Sequence, residues 1–473
     1  MMGEVFATLF FVVYTLTILG IIVVIITDNR NPLKTVPWIL VLTLAPGVGL
    51  IFYFFFGQNL SKRRILSRRM RKRITTQLRE TAGDDVPMPE EYRTLMQLLS
   101  NTAHAVPLFG SRLTPYTSGA EKMDALIEEL SLARHHIHLQ YYILSDDEVG
   151  NRLKNMLIRK AREGVKIRIL YDDMGCHGVP KSFFDEMRRE GIEVSAFLHV
   201  HFPLLTSKFN YRNHRKIVVI DGRVGFVGGM NIADRYVKGV AWGRWRDTHF
   251  KVEGRGVAGL QASFLSDWSA TTKQDLPMDE EVYYPRVETF SRNVMQIVPG
   301  GPLGKWRVLL QADSYAIARA RHKIWIQTPY YLPSDVLNSS LQEAALAGVD
   351  VRLMLPERAD VRVVNLCTHS FLDDMMKAGV KIYFYKAGFL HSKLMIIDND
   401  LVIAGSANMD FRSFEHNFEV NAFIYDAEFT QQMTAIYEED CADCHVVTPN
   451  EWFHRPRMQR FLESLTRLFA PLM

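Results

Sequence analysis

Cysteine is scarce. The 473 residues hold four, with Cys176 and Cys367 isolated, so no disulfide framework is implied. The other two fall in "CADCH" (Cys441 to His445), half of a zinc or redox signature with no second CxxC to complete it, and are expected to form an ordinary turn of helix. No run of His and Cys has zinc spacing and no carboxylate cluster suits a hard cation, so neither a metal nor another cofactor is implied. A generally basic surface is missing too. Net charge is +4, yet "KRRILSRRMRKR" (Lys62 to Arg73) holds eight cations in twelve residues, and without those eight the chain sums to −4. That excludes a body built to track nucleic acid.

Long apolar runs occur at one end only. Val5 to Thr27 and Val36 to Phe56 are each long enough to cross a hydrocarbon core of about 30 Å, and only "DNRNPLKT" separates them. The first is too long for a secretory signal and lacks its basic start. Pro37, Pro46, Gly47 and Gly49 make the second less regular, with a kinked or re-entrant segment as the alternative. Residues 1–60 are expected to be a two-helix transmembrane hairpin. The cations directly after it put that end in the cytoplasm against anionic lipids, with the loop around Arg30 and Lys34 outside.

Two stretches then share one frame, H-x-K-x4-D-x6-G-[GS]-x-N: "NHRKIVVIDGRVGFVGGMN" ending at Asn231 and "LHSKLMIIDNDLVIAGSAN" ending at Asn408. Both alternate like strands around central turn residues and read as β-hairpins. Two-residue loops at Gly222-Arg223 and Asn399-Asp400 would set His214 opposite Asn231, Lys216 opposite Gly229, His391 opposite Asn408 and Lys393 opposite Ser406. Each hairpin would present an imidazole, an ammonium and an amide on one face, with Asp221 and Asp398 at the turns on the other, as turn or hydrogen-bonding residues. Folding alone does not require both sets. Two fixed cations, two amide donors and two groups titrating near neutrality suit a phosphate: one imidazole attacks phosphorus, the other protonates the departing oxygen, and Lys and Asn stabilise the equatorial oxygens. Each imidazole needs an acceptor on its second nitrogen. Asp247 in "WRDTHF" follows His214, and Glu419 in "NFEVNAF" follows His391.

These stretches resemble the paired HKD motifs of the phospholipase D superfamily. "LQYYIL", "WRDTHFKVEG", "QIVPGGP", "IQTPYYLPSD" and "NMDFRSFEHNFEV" are similar to segments of bacterial cardiolipin synthases within it. The resemblance implies a metal-independent phosphatidyltransferase that uses phosphatidylglycerol as donor and acceptor, held in a bacterial inner membrane with its catalytic body facing the cytoplasm. It implies that His214 is the nucleophile and His391 the acid that becomes the base. Lys216, Lys393, Asn231, Asn408 and Ser406 would bind phosphate, and Asp221 and Asp398 are counted with the catalytic motif. A phospholipase D hydrolase or a headgroup-exchanging phosphatidyltransferase is the alternative on the same site. A nuclease is disfavoured by the apolar spans and the negative body, and a scaffold gains nothing from two poised imidazoles. Acyl preference and oligomeric state are not legible.

The repeat runs well beyond the motifs. "SLARHHIHLQYYILSDD" parallels "AIARARHKIWIQTPYYLPSD", "AREGVKIRILYDD" parallels "ALAGVDVRLMLPE", and "GIEVSAFL" parallels "GVKIYFYK", with helix stops at Gly164, Gly191, Gly348 and Gly379. Strand and helix alternate in each half, so the fold class is α/β: two tandem phospholipase D-like domains related by pseudo-twofold symmetry. The expected boundaries are 61–110 for a basic juxtamembrane segment and linker, 111–290 for the first domain and 291–473 for the second. The last stretch, "WFHRPRMQRFLESLTRLFAPLM", reads as a helix, packed on the body or lying on a membrane surface.

Overall fold

An apolar run in lipid must pair its own backbone, and Met2–Thr27 does so as one helix of 26 residues, about 39 Å long. Its polar side chains are satisfied locally: the hydroxyls of Thr8, Thr15, Thr17 and Thr27 each donate to the carbonyl four residues earlier, at 2.8 to 2.9 Å. The second apolar stretch differs from a straight span. It forms a helix over Pro32–Leu44, breaks at Ala45 (φ −135°, ψ 65°), and resumes over Pro46–Phe52. Thirteen residues rise only about 20 Å, short of the hydrocarbon core. The cause is Pro46, which lacks an N–H and disfavours helix in the residue before it. Of the expected hairpin, then, one helix among the described residues is long and apolar enough to cross a membrane.

This computed structural model describes residues 2–27, 32–53, 66–83, 86–197, 211–274 and 280–470. The chain divides into one unit of Met1–Lys62 with Val200–Tyr211, and a second of Arg63–His199 with Arg212–Met473. Residues 62–65 of the basic run lie outside the described residues. The rest of the run opens the helix Arg68–Ala82, capped by Ser67 Oγ accepting from the Met70 N–H. Met70, Ile74, Leu78 and Ala82 are buried on one face, which packs on the helix Gly256–Thr272, while Arg68, Arg69, Arg71, Lys72 and Arg73 are exposed.

The large unit is built on two sheets with one plan. In the first half the strand order is Arg112–Tyr116, His249–Glu253, Val224–Gly228, Ile217–Ile220, His136–Tyr141, Lys166–Asp172, Glu193–Phe197. The second half repeats it: Val294–Gly300, Glu419–Tyr425, Leu401–Gly405, Leu394–Ile397, Lys323–Gln327, Asp350–Pro356, Lys381–Tyr385. Leu108–Phe109 and Cys444–Val446 extend its two edges, so "CADCH" ends a helix and begins an edge strand. The last three strands of each order are parallel and joined by helices that end where glycine supplies positive φ: Gly164 (92°), Gly191 (82°), Gly348 (95°) and Gly379 (99°).

Both hairpins form, but one residue out of the expected register. Ile217 pairs with Val227 and Ile220 with Val224, while Leu394 pairs with Ala404 and Ile397 with Leu401, so each loop has three residues, Asp221–Arg223 and Asp398–Asp400. In the first loop positive φ at Asp221 (52°) and Gly222 (64°) makes the tight turn, and Arg223 N–H donates to the Ile220 carbonyl at 3.0 Å. A slip of one residue removes the expected rows: His214 does not lie opposite Asn231, nor His391 opposite Asn408, and the strands begin only at Ile217 and Leu394.

The turn aspartates hold the fold and do not reach the chemistry. Asp221 accepts from the N–H groups of Arg134, His135 and His136 at 2.8 to 2.9 Å, and Asp398 from those of Arg321, His322 and Lys323 at 2.7 to 3.2 Å. Each ties its hairpin turn to the entry of the neighbouring strand. Ile220 pairs with Ile137 and Ile217 with Gln140, so this entry is one strand length, roughly 15–20 Å, from His214. The catalytic assignment of Asp221 and Asp398 is corrected accordingly. We expect Asp221→Ala and Asp398→Ala to lose roughly 1–3 kcal/mol of stability each, seen as a fall in Tm, with turnover per folded molecule within about twofold of the parent. Loss of turnover without loss of Tm would return these residues to the active site.

Candidate active site

The two histidines stand just before the strands Ile217–Ile220 and Leu394–Ile397 begin, where the backbone of each half pairs with that of the other. The backbone N–H of His214 donates to the Phe418 carbonyl at 2.8 Å, and that of His391 to the Arg246 carbonyl at 2.6 Å. Asn213 pairs with Phe418 in parallel, and Leu390 with Arg246. One residue further on come Glu419 and Asp247. Each histidine is thereby set beside the other half's acid: His214 Nδ1 is 3.0 Å from Glu419 Oε2, and His391 Nδ1 is 2.6 Å from Asp247 Oδ2. The two acids expected to steady the imidazoles do so, but with exchanged partners. Asp247 serves His391 and Glu419 serves His214, because the backbone just before each histidine pairs with the other half.

Around Glu419 the bonding is dense. It accepts from Ser406 Oγ at 2.5 Å, Ser413 Oγ at 3.0 Å and Asn417 Nδ2 at 3.2 Å. Ser406, expected on the phosphate, is fully buried with its hydroxyl given to Glu419 and accepting from the Val420 N–H, so it positions the acid. Its counterpart is Gly229, where an added Cβ would lie 2.1 Å from Asp247 Oδ1, so a side chain there would displace the acid. The Asp247 carboxylate occupies that space and also accepts from the Thr248 N–H at 2.7 Å.

Lys216 and Lys393 are buried beside their histidines. Lys216 Nζ donates to the His214 carbonyl at 2.5 Å, and Lys393 Nζ donates to the His391 carbonyl and lies 2.9 Å from its Nδ1. Asn231 accepts from the Ile143 N–H and donates to Tyr236 Oη at 2.6 Å, while Asn408 donates to Asp410 and keeps a buried Oδ1 with no partner among the described residues. Both amides, both histidines, Tyr142, Tyr236, Trp245, Asp410 and the three arginines Arg212, Arg235 and Arg412 line one cleft of about 470 Å³.

Two segments, residues 126–268 and 315–441, match the family model described as "Cardiolipin synthase, PLD-like domain". The chain belongs to that family. Each matched segment carries one histidine–lysine pair and one of the crossed acids. Residues 15–58 match a second model, "Phospholipase_D-nuclease N-terminal". Cardiolipin synthase of Geobacillus sp. (strain WCH70) is 40% identical over 95% of this chain and 91% of its own length, and cardiolipin synthase 2 of Bacillus anthracis is 40% identical over 95% and 89%. The crystal structure of phosphatidylserine synthase from Haemophilus influenzae Rd KW20 shares the fold, with a TM-score of 0.61, 14% identity, and coverage of 81% of this chain and 98% of that one.

Within this cardiolipin synthase-family site, two features went unread in the sequence. Arg235 and Arg412 each follow a motif Asn by four residues, so the repeated frame extends to N-x3-R; that spacing was the available signal. The second is a pair of buried supports. Gln140 and Arg215 both bond Asp267, and Gln327 and Arg246 both bond Asp440. The glutamines sit at equivalent strand positions, but the arginines do not. Arg215 follows His214 and lies over Phe418, whereas at the other histidine Ser392 bonds Thr248 and the cation comes from Arg246 beside Asp247. Only the structure shows that these positions are neighbours.

Burial dominates the electrostatics. It pushes His214 below the usual imidazole range and His391 down to about 3, with the Lys393 cation adding to the second, so both rings are neutral at pH 7. Burial would raise Asp247 and Glu419, but Lys393 with His391, and His214 with Lys216, hold them below the usual carboxylate range. Burial also lowers Lys216 well below the lysine range and Lys393 to about 8. An anion bound here favours every protonated partner. A phosphate-like ligand such as tungstate should therefore bind tightly below about pH 8 and lose roughly tenfold in affinity per pH unit above it as Lys393 gives up its proton. Lys393→Arg should carry tight binding to higher pH, because guanidinium keeps its charge. Calorimetric titrations across this range check both; a flat profile, or one identical in Lys393→Arg, contradicts the assignment.

Proposed function

We propose that the protein is a cardiolipin synthase that moves a phosphatidyl group from one phosphatidylglycerol to another. The observation that carries the reading is the crossed constellation: two imidazoles, each held at Nδ1 by a carboxylate of the opposite half, with two lysines, two asparagines and one cleft. Relatives named cardiolipin synthase, 40% identical over 95% of the chain, point to the same chemistry.

In this reading His214 attacks phosphorus, the P–O bond to glycerol breaks, and protonated His391 gives its proton to the departing oxygen. Glycerol leaves and a phosphatidyl-histidine remains. The terminal hydroxyl of the second phosphatidylglycerol then attacks, His391 takes its proton, and the N–P bond breaks. Glu419 steadies the charge that His214 gains, and Asp247 does so for His391. Lys216, Lys393, Asn231 and Asn408 stabilise the equatorial oxygens, and a bound phosphodiester anion supplies the charge that lets a deeply buried imidazole hold a proton. No step calls on a metal. Residues 1–60 anchor the chain in a bacterial inner membrane, the helix Met2–Thr27 crossing it and the second apolar stretch returning as a segment kinked at Ala45, with the body in the cytoplasm; the apolar helix and the cations that follow the second stretch support this orientation.

Mass spectrometry of lipids after the purified chain meets phosphatidylglycerol alone should show one glycerol released per cardiolipin formed. Phosphatidic acid in place of cardiolipin would mark a hydrolase, and exchange with added small alcohols a headgroup-exchanging transferase. Added protease should abolish synthesis in inverted membrane vesicles and spare it in right-side-out ones; the opposite would put the body outside.

A further inference from the structure

The C-terminal helix Arg457–Arg467 is inside out. Its one buried residue is an acid, Glu463, bonded to Arg455 at 2.8 Å and Gln459 at 3.0 Å, with His369 Nδ1 3.6 Å away. Its large apolar residues face outward instead: Met458, Phe461 (61% exposed), Leu462, Leu465, then Leu468 (74%) and Phe469 beyond its end. A helix packed only as part of a soluble body would show the reverse. Exposed Arg457, Arg460 and Arg467 interleave with the stripe.

The position of this helix gives the stripe a direction. It packs against Arg362–Lys377, where Arg460 lies by Asp373, Glu463 by His369, and Arg467 reaches the Ser370 carbonyl at 3.2 Å and covers Phe371. The helices run antiparallel, so Leu468 and Phe469 lie toward the start of the second one. There Val361 and Val363 are also exposed, and Val361 and Val364 line the catalytic cleft. Arg358 and Arg362, both exposed, flank these valines. Exposed apolar residues edged by arginine thus occur both on this helix and at the mouth of the cleft.

We propose that this surface seats on an anionic lipid bilayer, with the apolar stripe sunk about 5–10 Å into the headgroup region, so that lipid enters the cleft from the membrane without crossing water. The proposal rests on the lipid-transferring reading above. Its occupant is a bilayer because the stripe carries aliphatic and aromatic side chains alongside exposed arginines, while the buried acid Glu463 is already held inside the protein.

The test uses the full chain with Cys441→Ser and Cys444→Ser, in nanodiscs of phosphatidylcholine with phosphatidylglycerol, carrying a nitroxide at Leu468→Cys. Leu346→Cys, on an apolar residue 72% exposed elsewhere on the body, is the control. At position 468 the label should be accessible to oxygen and shielded from a water-soluble nickel chelate, less so in phosphatidylcholine alone; at 346 nickel should reach it. Equal nickel access at both sites overturns the proposal, as does dipolar broadening at 468, which would make the stripe a contact between two copies. In parallel, Phe461→Glu with Leu465→Glu should cut turnover of bilayer phosphatidylglycerol about tenfold or more and leave nitrophenol release from a water-soluble short-chain nitrophenyl donor unchanged. Equal loss on both donors contradicts membrane seating. Failure of the parent chain on the soluble donor would instead count against the catalytic reading, while the nitroxide depth still decides this one.

Discussion

Two backbone hydrogen bonds, His214 N–H to the Phe418 carbonyl and His391 N–H to the Arg246 carbonyl, decide what this protein can do. Each joins a residue of one half to the residue preceding an acid in the other. Side-chain geometry follows from that. An imidazole must lie where the next residue's carboxylate can reach its Nδ1, and the ammonium two residues later must share the same confined space. Each histidine–carboxylate pair takes one member from each half, so this arrangement depends on the halves being held in register.

The surrounding sequence maintains this register in two unlike ways. At one crossing Arg215 fills the neighbourhood of Phe418 and is neutralised by Asp267; at the other Ser392 is small and Arg246 supplies the cation to Asp440. Each crossing carries one buried arginine and one buried aspartate, and removing either partner would leave a charge stranded in the interior, a cost of several kcal/mol. The acids differ likewise. Glu419 is held by Ser406, Ser413 and Asn417, whereas Asp247 needs the bare backbone of Gly229. Pseudo-symmetry therefore extends to the positions of the reacting groups but not to their supports, which leaves room for the two histidines to differ in role.

Much of this was legible from residue spacing. The motif repeat pointed to His214, Lys216, Asn231, His391, Lys393 and Asn408 as one site, the downstream acids were found, and the parallel stretches foretold two α/β halves with the same succession of strands and helices along the chain. What escaped has a common physical origin. Hairpin register turns on whether a loop holds two residues or three, and Asp221 with Gly222 makes the tight turn one residue earlier than Gly222 with Arg223 would. The partner exchange between acids is a relation between chains of residues far apart in sequence, and distance along the chain favoured the same-half pairing. Ser406 shares its motif position with Gly229, and its role depends on the longer acid it faces. The outward apolar face of the last helix was visible as spacing, but only the burial of Glu463 shows which side faces the body.

The cross-half pairing can be tested with a donor whose nitrophenyl headgroup leaves without protonation, so that the first chemical step is seen alone. In His391→Ala the stalled phosphatidyl group, mapped by peptide mass spectrometry, should lie on His214. Glu419→Gln should then suppress the burst of nitrophenol, because it removes the carboxylate that steadies His214, whereas Asp247→Asn should keep the burst and slow only the later turnover that needs His391 as a base. An adduct on His214 whose formation depends on Asp247 and not on Glu419 would show that each histidine is served by its own half, and would contradict the account.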